Sequence, residues 1–380
     1  MLDCVLMARR IVIVGGGLMG LSAAFHLRRD DAGVRVTVLE RDRVGAAASG
    51  ASAAGVRAMG RDPAERKLAL ASLARWPDLD RELEAPTGYR RGGGLRVALD
   101  DPAWYAVPAW VVGQRADGVP VELVDAPAAR RLAPGIAPSC RGGVHCPIDG
   151  QADAMATVRA FATAARRRGA LVDEGVGAKG LVVERGRVVA VERSDGGREA
   201  CDVAVLAAGA WTAALLAGVG VRLALETRPL QMLLTNPAPA ALTPVIGAFE
   251  HRLSLKQLDD GAYLIGGGWP ARVTDHAGNR YEMVDGSVKG SLETARAVYP
   301  ALAGHALARS WAGLEAFTPD DLPVIGPVPA IDGLLVAAGF CGHGFALSPM
   351  IGDTLSRYAR GEQPAVGSGL AFRHVSECKT

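Results

Sequence analysis

Apolar residues in this chain come first as a continuous run, then at helical spacing. Ile11-Val12-Ile13-Val14 is an unbroken β-branched run, the pattern of a strand buried on both faces. Gly15, Gly16, Gly17 and Gly20 follow at once, and Leu18, Leu21 and Phe25 then recur along one face of a helix from Leu18 to Leu27. A second strand, Val34 to Leu39, ends on Glu40. Strand, glycine turn, helix, strand and acid therefore succeed one another within about 30 residues, the order of a dinucleotide fingerprint.

Further along, Asp62-Pro63-Ala64-Glu65 predicts a helix start. Asp62 suits the N-cap, Pro63 the first turn, and Glu65 completes a capping-box pattern for a helix reaching about Glu84. Tyr89 to Leu99 reads as a glycine-bent strand or hairpin, and Asp100 to Pro147 as helix and loops outside the nucleotide core. Asp149 or Asp153 is expected to cap a helix over 154–168. Gly180–Val183 and Gly186–Val191 predict a hairpin turning at Glu184-Arg185. The run Val203 to Ala208, stopped by Gly209, predicts another buried strand.

From 222 to 303 the α/β alternation stops. Arg228–Thr235, Leu253–Gln257 and Ala262–Gly267 predict antiparallel strands, and 282–299 a helix ended by Pro300. A strand at Leu334–Ala338, a glycine loop and a helix from Ser348 to Arg360 close the chain. The fold class expected is α/β (α+β): a Rossmann-like FAD-binding domain with a second, antiparallel-sheet substrate domain. The first would be discontinuous, from 8–85, 145–220 and 305–372. The second would take 86–144 and 221–304, leaving 1–7 and 373–380 as flexible termini.

The glycines have separate physical roles. Gly15 permits a tight turn, Gly17 lets a pyrophosphate approach the backbone, and Gly20 lets helix and strand pack closely. The helix N-terminus then offers free N–H groups and a positive dipole end to phosphate. Glu40, 20 residues after Gly20, can accept both ribose hydroxyls, and its charge disfavours a 2′-phosphate, so FAD or NAD is expected rather than NADP. The small-residue stretch from Gly45 to Arg57 can lie flat against a planar ligand, with Ser49 and Ser52 offering hydroxyls. Arg57, at its end, faces either a ligand or solvent.

Composition narrows the class. At 380 residues two domains are expected. Lys+Arg 42 against Asp+Glu 40 gives a formal charge of +2, which argues for neither nucleic acid nor an acidic membrane surface. The six cysteines have no CxxC and no metal-like spacing, which predicts reduced thiols in a cytoplasm and no bound metal. No apolar run is long enough to span a bilayer. Residues 1–8 read as a short disordered extension.

The chain resembles the D-amino-acid-oxidase-type flavoproteins, a family that includes glycine oxidase, sarcosine oxidase and its β subunit, and opine oxidase and proline dehydrogenase subunits. The resemblance rests on GGGLMGLSAAFHL with Glu40, on SGASAAGVR and VLAAGAW, and on SLKQ followed by YLIGGG. SWAGLEAFTPDDLPVIGP with AAGFCGHGF is its most specific part. It implies FAD, and cofactor contacts from Gly15, Gly17, Leu18, Met19, Gly20, Glu40, Arg41, Ser49, Ala51, Ser52, Ala178, Ala208, Gly209, Trp211, Gly313, Gly342, His343, Gly344, Phe345 and Ala346. It implies hydride transfer from the C–N carbon of an uncharged amine to flavin N5, leaving an imine that water hydrolyses. Lys256 matches a lysine that assists oxygen reduction near N5, and His343 either acts directly or holds its loop.

Three departures from the family pattern bear on substrate. Gly313 stands where some members carry a cysteine bonded to FAD, so the flavin is expected to be non-covalent. Ala346 and Glu315 stand where relatives have a lysine and an arginine that bind the substrate carboxylate. Arg57 remains as an anchor, and Glu315 would meet a cationic group or pair with an arginine. The substrate expected is a small amine or an N-substituted amino or imino acid, with oxygen or an electron-accepting protein or quinone as partner. Two other readings stand beside this one. One is a subunit of a larger amine, opine or proline dehydrogenase. The other is a flavin monooxygenase, whose Gly-Asp motif finds only Gly352-Asp353 here.

Overall fold

A computed structural model of the protein describes residues 8–364 and 366–373. The expectations for 1–7 and 374–380, and Cys4 and Cys378 with them, lie outside the described residues.

The first apolar run forms the strand Arg10–Val14 at the middle of a six-stranded sheet. Arg35–Glu40 and Val203–Leu206 flank it in parallel, with Leu171–Glu174 beyond the former and Leu334–Ala338 beyond the latter. Only the edge strand Val324–Pro327 runs antiparallel. Strands covered on both faces need no alternation, which explains the continuous run. The helix Leu18–Asp30 packs against Ser348–Arg360, with Leu21 and Phe25 fully buried. Each such side chain contributes roughly 1.5–3 kcal/mol of burial.

The second sheet has eight strands. In order they are Leu307–Phe317, Glu226–Pro237, Ala262–Gly266, Ser254–Gln257, Val245–Ala248, Gly94–Ala98, Gly142–Cys146 and Glu122–Asp125. Its pairings are antiparallel except Val245–Ala248 on Gly94–Ala98, which is parallel. One face covers the helix Asp285–Val298 through Leu95, Val97, Leu233, Leu255 and Ile265. Residues of opposite parity, Arg96 and Ser254 among them, face a cavity.

Several local expectations change. The 63–84 helix is broken: Pro63–Arg75 and Leu79–Leu83 are joined by a 3-10 turn at Trp76–Asp78, because Pro77 lacks the N–H a helix interior needs. Asp62 caps as expected, accepting from Ala64 N–H, but Glu65 is buried and makes no capping box. Asp153, not Asp149, caps Ala154–Arg167. The hairpin turns at Arg185-Gly186, both at positive φ, rather than at Glu184-Arg185. Glu122–Asp125 and Gly142–Cys146, expected as loops, are strands: the first is a polar edge, and the second opens on glycines that carry no apolar signal. Leu307–Phe317 lies in the second sheet, although 305–372 was expected wholly in the nucleotide domain.

Candidate active site

The C-terminal ends of three parallel strands meet at the glycine turn, where an open α/β sheet places its ligand crevice. Gly15 has φ +112 and is packed so tightly that a Cβ would lie 2.4 Å from the Ala207 carbonyl oxygen. A Cβ on Gly20 would lie 2.1 Å from the Gly15 carbonyl. Gly17 differs, because a Cβ there would meet only Ser49 Oγ, at 3.1 Å, and otherwise point into a cleft. Leu18 N–H donates to Ser49 Oγ at 2.9 Å. Glu40 accepts from Gly16 N–H at 2.7 Å and from Asp42 N–H at 2.9 Å. The turn, the helix end with Leu18 N–H held by Ser49, and the acid thus lie together beside the cleft.

Ten expected cofactor residues line the cleft or the cavity beside it: Gly17, Leu18, Met19, Ser49, Ser52, Gly209, Gly342, His343, Gly344 and Phe345. Others frame them. Arg41 stacks on Trp211 with its guanidinium 3.6 Å from the ring centroid, and donates to the Ala277 carbonyl. Ala208 follows Ala207 beside Gly15, and Ala178 begins the strand Ala178–Glu184. Gly313 packs against the short helix Ala48–Ala51, where a Cβ would lie 2.8 Å from that of Ala51. The Ala51 carbonyl accepts from Trp311 Nε1. Ala346 is fully buried away from the cleft, its carbonyl accepting from Ser72 Oγ and Trp76 Nε1.

The cleft opens into a cavity of about 970 Å³ beneath the second sheet, and Ser52, Glu315, Gly342 and Phe345 line both. Glu315 is enclosed between them. Burial pushes its carboxyl up to about 7, offset in part by the Gly342 N–H. His343 and Arg57 also reach the cavity. Burial, with Arg61 nearby, lowers His343 to about 3, so its imidazole is neutral. Cys341 lines the cavity at φ +51, its thiol pushed up to about 11 by burial and held at the Gly339 carbonyl.

Lys256 is set back from this wall. It is on the same side of its strand as Ser254, is buried, and donates from Nζ to the Ala152 carbonyl at 2.9 Å. Burial pulls it down to about 7. The charge implied there is therefore not fixed at neutral pH.

Three residues of this site escape a sequence reading. Arg61 and Arg96 line the cavity beside Arg57, and Glu65 lies behind His343. Alternation in Leu95-Arg96-Val97 was the available signal for Arg96, and the capping pattern concealed Glu65. Asp149, the rejected cap, is buried and accepts from Ala58 N–H at 2.7 Å, fixing the backbone next to Arg57.

A family model described as DAO, FAD dependent oxidoreductase, matches residues 10–358. The glycine oxidase of Pseudomonas putida is 29% identical over 376 residues, covering 95% of this chain and 97% of its own. The sarcosine oxidase subunit beta of Rhizobium meliloti is 27% identical over 350 residues, covering 90% and 82%. The crystal structure of glycine oxidase from Geobacillus kaustophilus superposes with a TM-score of 0.86 at 25% identity, covering 97% and 99%.

Proposed function

The chain belongs to this family of FAD-dependent oxidoreductases, and from that premise we propose that it oxidises the carbon–nitrogen bond of a small amine or N-substituted amino acid in the cavity beneath the second sheet. One observation carries the reading: the cleft at the glycine turn and the cavity share Ser52, Glu315, Gly342 and Phe345 as common walls. A cofactor cradled at Gly17 would extend along 48–57 to the point where a substrate enters. FAD supplies the two-electron acceptor when bound.

The protein's own part is positional. Glu315 offers a carboxylate at the junction of cofactor and substrate space, suited to draw in an amine and accept its proton, which leaves the amine uncharged. His343, neutral, lines the cavity beside Gly342. Leu230 and Met232 of the sheet add apolar surface to the cavity. Gly313 offers no thiol for attachment, so the flavin should be released by denaturation.

The test is anaerobic mixing of the purified flavoprotein with glycine, sarcosine, D- and L-amino acids, proline and opines, following the visible flavin band. Bleaching by one of them supports the reading, and no bleaching by any amine overturns it. A second reading, in which the chain works beside a partner subunit, is favoured by the helix Asp101–Ala116. Its outer face carries Tyr105, Pro108, Ala109 and Val112, with Tyr105 77% and Val112 67% exposed. Recolouring with a dye but not with air would support that reading. The monooxygenase reading loses its motif: Gly352 packs on Ser22 and His26, and Asp353 pairs with Arg357.

A further inference from the structure

Of the five arginines that line the cavity, Arg228 pairs with Glu226 and Arg252 is exposed, while Arg57, Arg61 and Arg96 are buried or half-buried and form no ion pair with a carboxylate among the described residues. The side chain of Arg57 has neither a hydrogen bond nor an ion pair among the described residues. Arg61 is only 9% exposed and uses Nε alone, on the Arg57 carbonyl. Arg96 likewise uses Nε, on the Ala248 carbonyl, and lays its guanidinium 4.5 Å from the centroid of Phe249. The terminal nitrogens of all three are uncommitted. Nearby acids do not neutralise them at contact distance. Asp149 accepts from the Ala58 and Met59 N–H groups through Oδ1 and acts on Arg57 only from beyond ion-pair distance, Glu250 accepts from Leu99 and Asp100 N–H, and Glu65 faces His343.

Burial disfavours the charge of Arg61 and Arg96, and the nearby charge of Arg57 adds to this in both, against the pull of Glu65 and Asp149 on the first and of Glu250 on the second. Such an arrangement is relieved when an anion enters, and a planar fork matches a carboxylate with two parallel bonds. One carboxylate engages one fork bidentately, or two forks at most. Three forks on one wall therefore exceed the needs of an ordinary amino acid. Glu315 lines the same cavity, and its carboxylate repels a second carboxylate and attracts an amine.

We propose that the substrate is an amine carrying two carboxylates, a dicarboxylic amino or imino acid. Arg57, Arg61 and Arg96 hold its anionic end, and Glu315 faces its amine. This deepens the amine-oxidation reading and rests on it.

The test is calorimetric titration of the flavin-loaded protein with malonate, succinate and glutarate, against acetate, butyrate and inorganic phosphate. One dicarboxylate should bind at least tenfold more tightly than any monocarboxylate or phosphate. Arg57→Gln and Arg96→Gln should each lose about tenfold, with Arg57→Lys recovering part of the loss; melting temperatures would identify a variant that has simply unfolded. Equal binding of one- and two-carboxylate anions, or folded variants with unchanged affinity, would overturn the arginine wall. Preference for phosphate would replace the dicarboxylate with a phosphate-bearing ligand, and so also overturn the proposal. Anaerobic reduction by iminodiacetate, compared with sarcosine, completes the test. Faster reduction by iminodiacetate supports the proposal. Ready reduction by sarcosine without dicarboxylate preference sinks the substrate assignment alone. Reduction by no amine at all sinks the amine-oxidation reading beneath it.

Discussion

His343 Nδ1 lies 3.3 Å from Glu65 Oε1, in a contact that joins the wall of the cavity to a carboxyl with 1% side-chain exposure. The imidazole is held neutral and also hydrogen-bonds to the Asp321 backbone. Burial raises Glu65 to about 7, with Arg61 acting in the opposite sense. Neither His343 Nδ1 nor Glu65 Oε1 has a hydrogen bond among the described residues, so an ionised Glu65 would be a buried charge without a donor at Oε1, whereas a protonated one carries no charge. The contact is thus favoured when Glu65 carries a proton.

The stability consequence has a definite sign. A carboxyl whose folded pKa is raised binds its proton more tightly when folded, so its contribution is full below the ordinary 4.5 and is lost as pH rises through about 7. Glu65→Gln fixes the neutral form. The variant should match the parent in acid and exceed it above neutrality, by roughly 1–3 kcal/mol. Thermal melts of both proteins from about pH 5 to about pH 8 would check this, and parallel curves would refute it.

The glycines of the turn should separate fold from cofactor. Gly20→Ala places a methyl 2.1 Å from the Gly15 carbonyl, and overpacking of that kind costs roughly 1–3 kcal/mol. Gly17→Ala places one in the cleft. It should leave the melting temperature of the apoprotein nearly unchanged and weaken FAD about tenfold, about 1.4 kcal/mol. Melting of the apoprotein and fluorescence titration with FAD measure the two effects.

Lys256 should act in the half-reaction that returns electrons to oxygen. Its Nζ is one strand from the small-residue stretch, because Ala152 N–H, next to the carbonyl it contacts, bonds to Ala54. Its charged form exists below about 7, so reoxidation should quicken as pH falls through that value. Lys256→Met should slow reoxidation by roughly 100-fold, remove this pH dependence and leave anaerobic reduction by the amine intact. Stopped-flow mixing with aerated buffer reads the first two, and mixing with amine the third.

Glu315 should control amine capture. It is a carboxylate above about 7 and a neutral acid below, so KM for the amine should rise as pH falls through that value. Glu315→Gln should raise KM and flatten this limb. A variant that keeps the parent's pH profile would remove Glu315 from the amine's surroundings.

The sequence by itself determined the nucleotide half of this protein. Its signals are local: an apolar run, four glycines and Glu40 act through backbone geometry over some 30 residues, and the structure gathers them without rearrangement. The same holds for the strand at Leu334–Ala338 and the helix at Ser348–Arg360. Long-range packing decided the rest. Glu65 carries a helix-start pattern that is correct for Asp62, yet its side chain turns inward and lies against His343, 278 positions away in sequence. Asp149 looked like a cap and became a buried acceptor, while Asp153 took the cap. Arg57, Arg61 and Arg96 are ordinary cations in sequence and become one wall only when the strand Gly94–Ala98 crosses above the stretch 52–61. A local motif needs only its own backbone, whereas a substrate cavity is enclosed by residues that the chain brings together last, and their charges acquire meaning only from what they face.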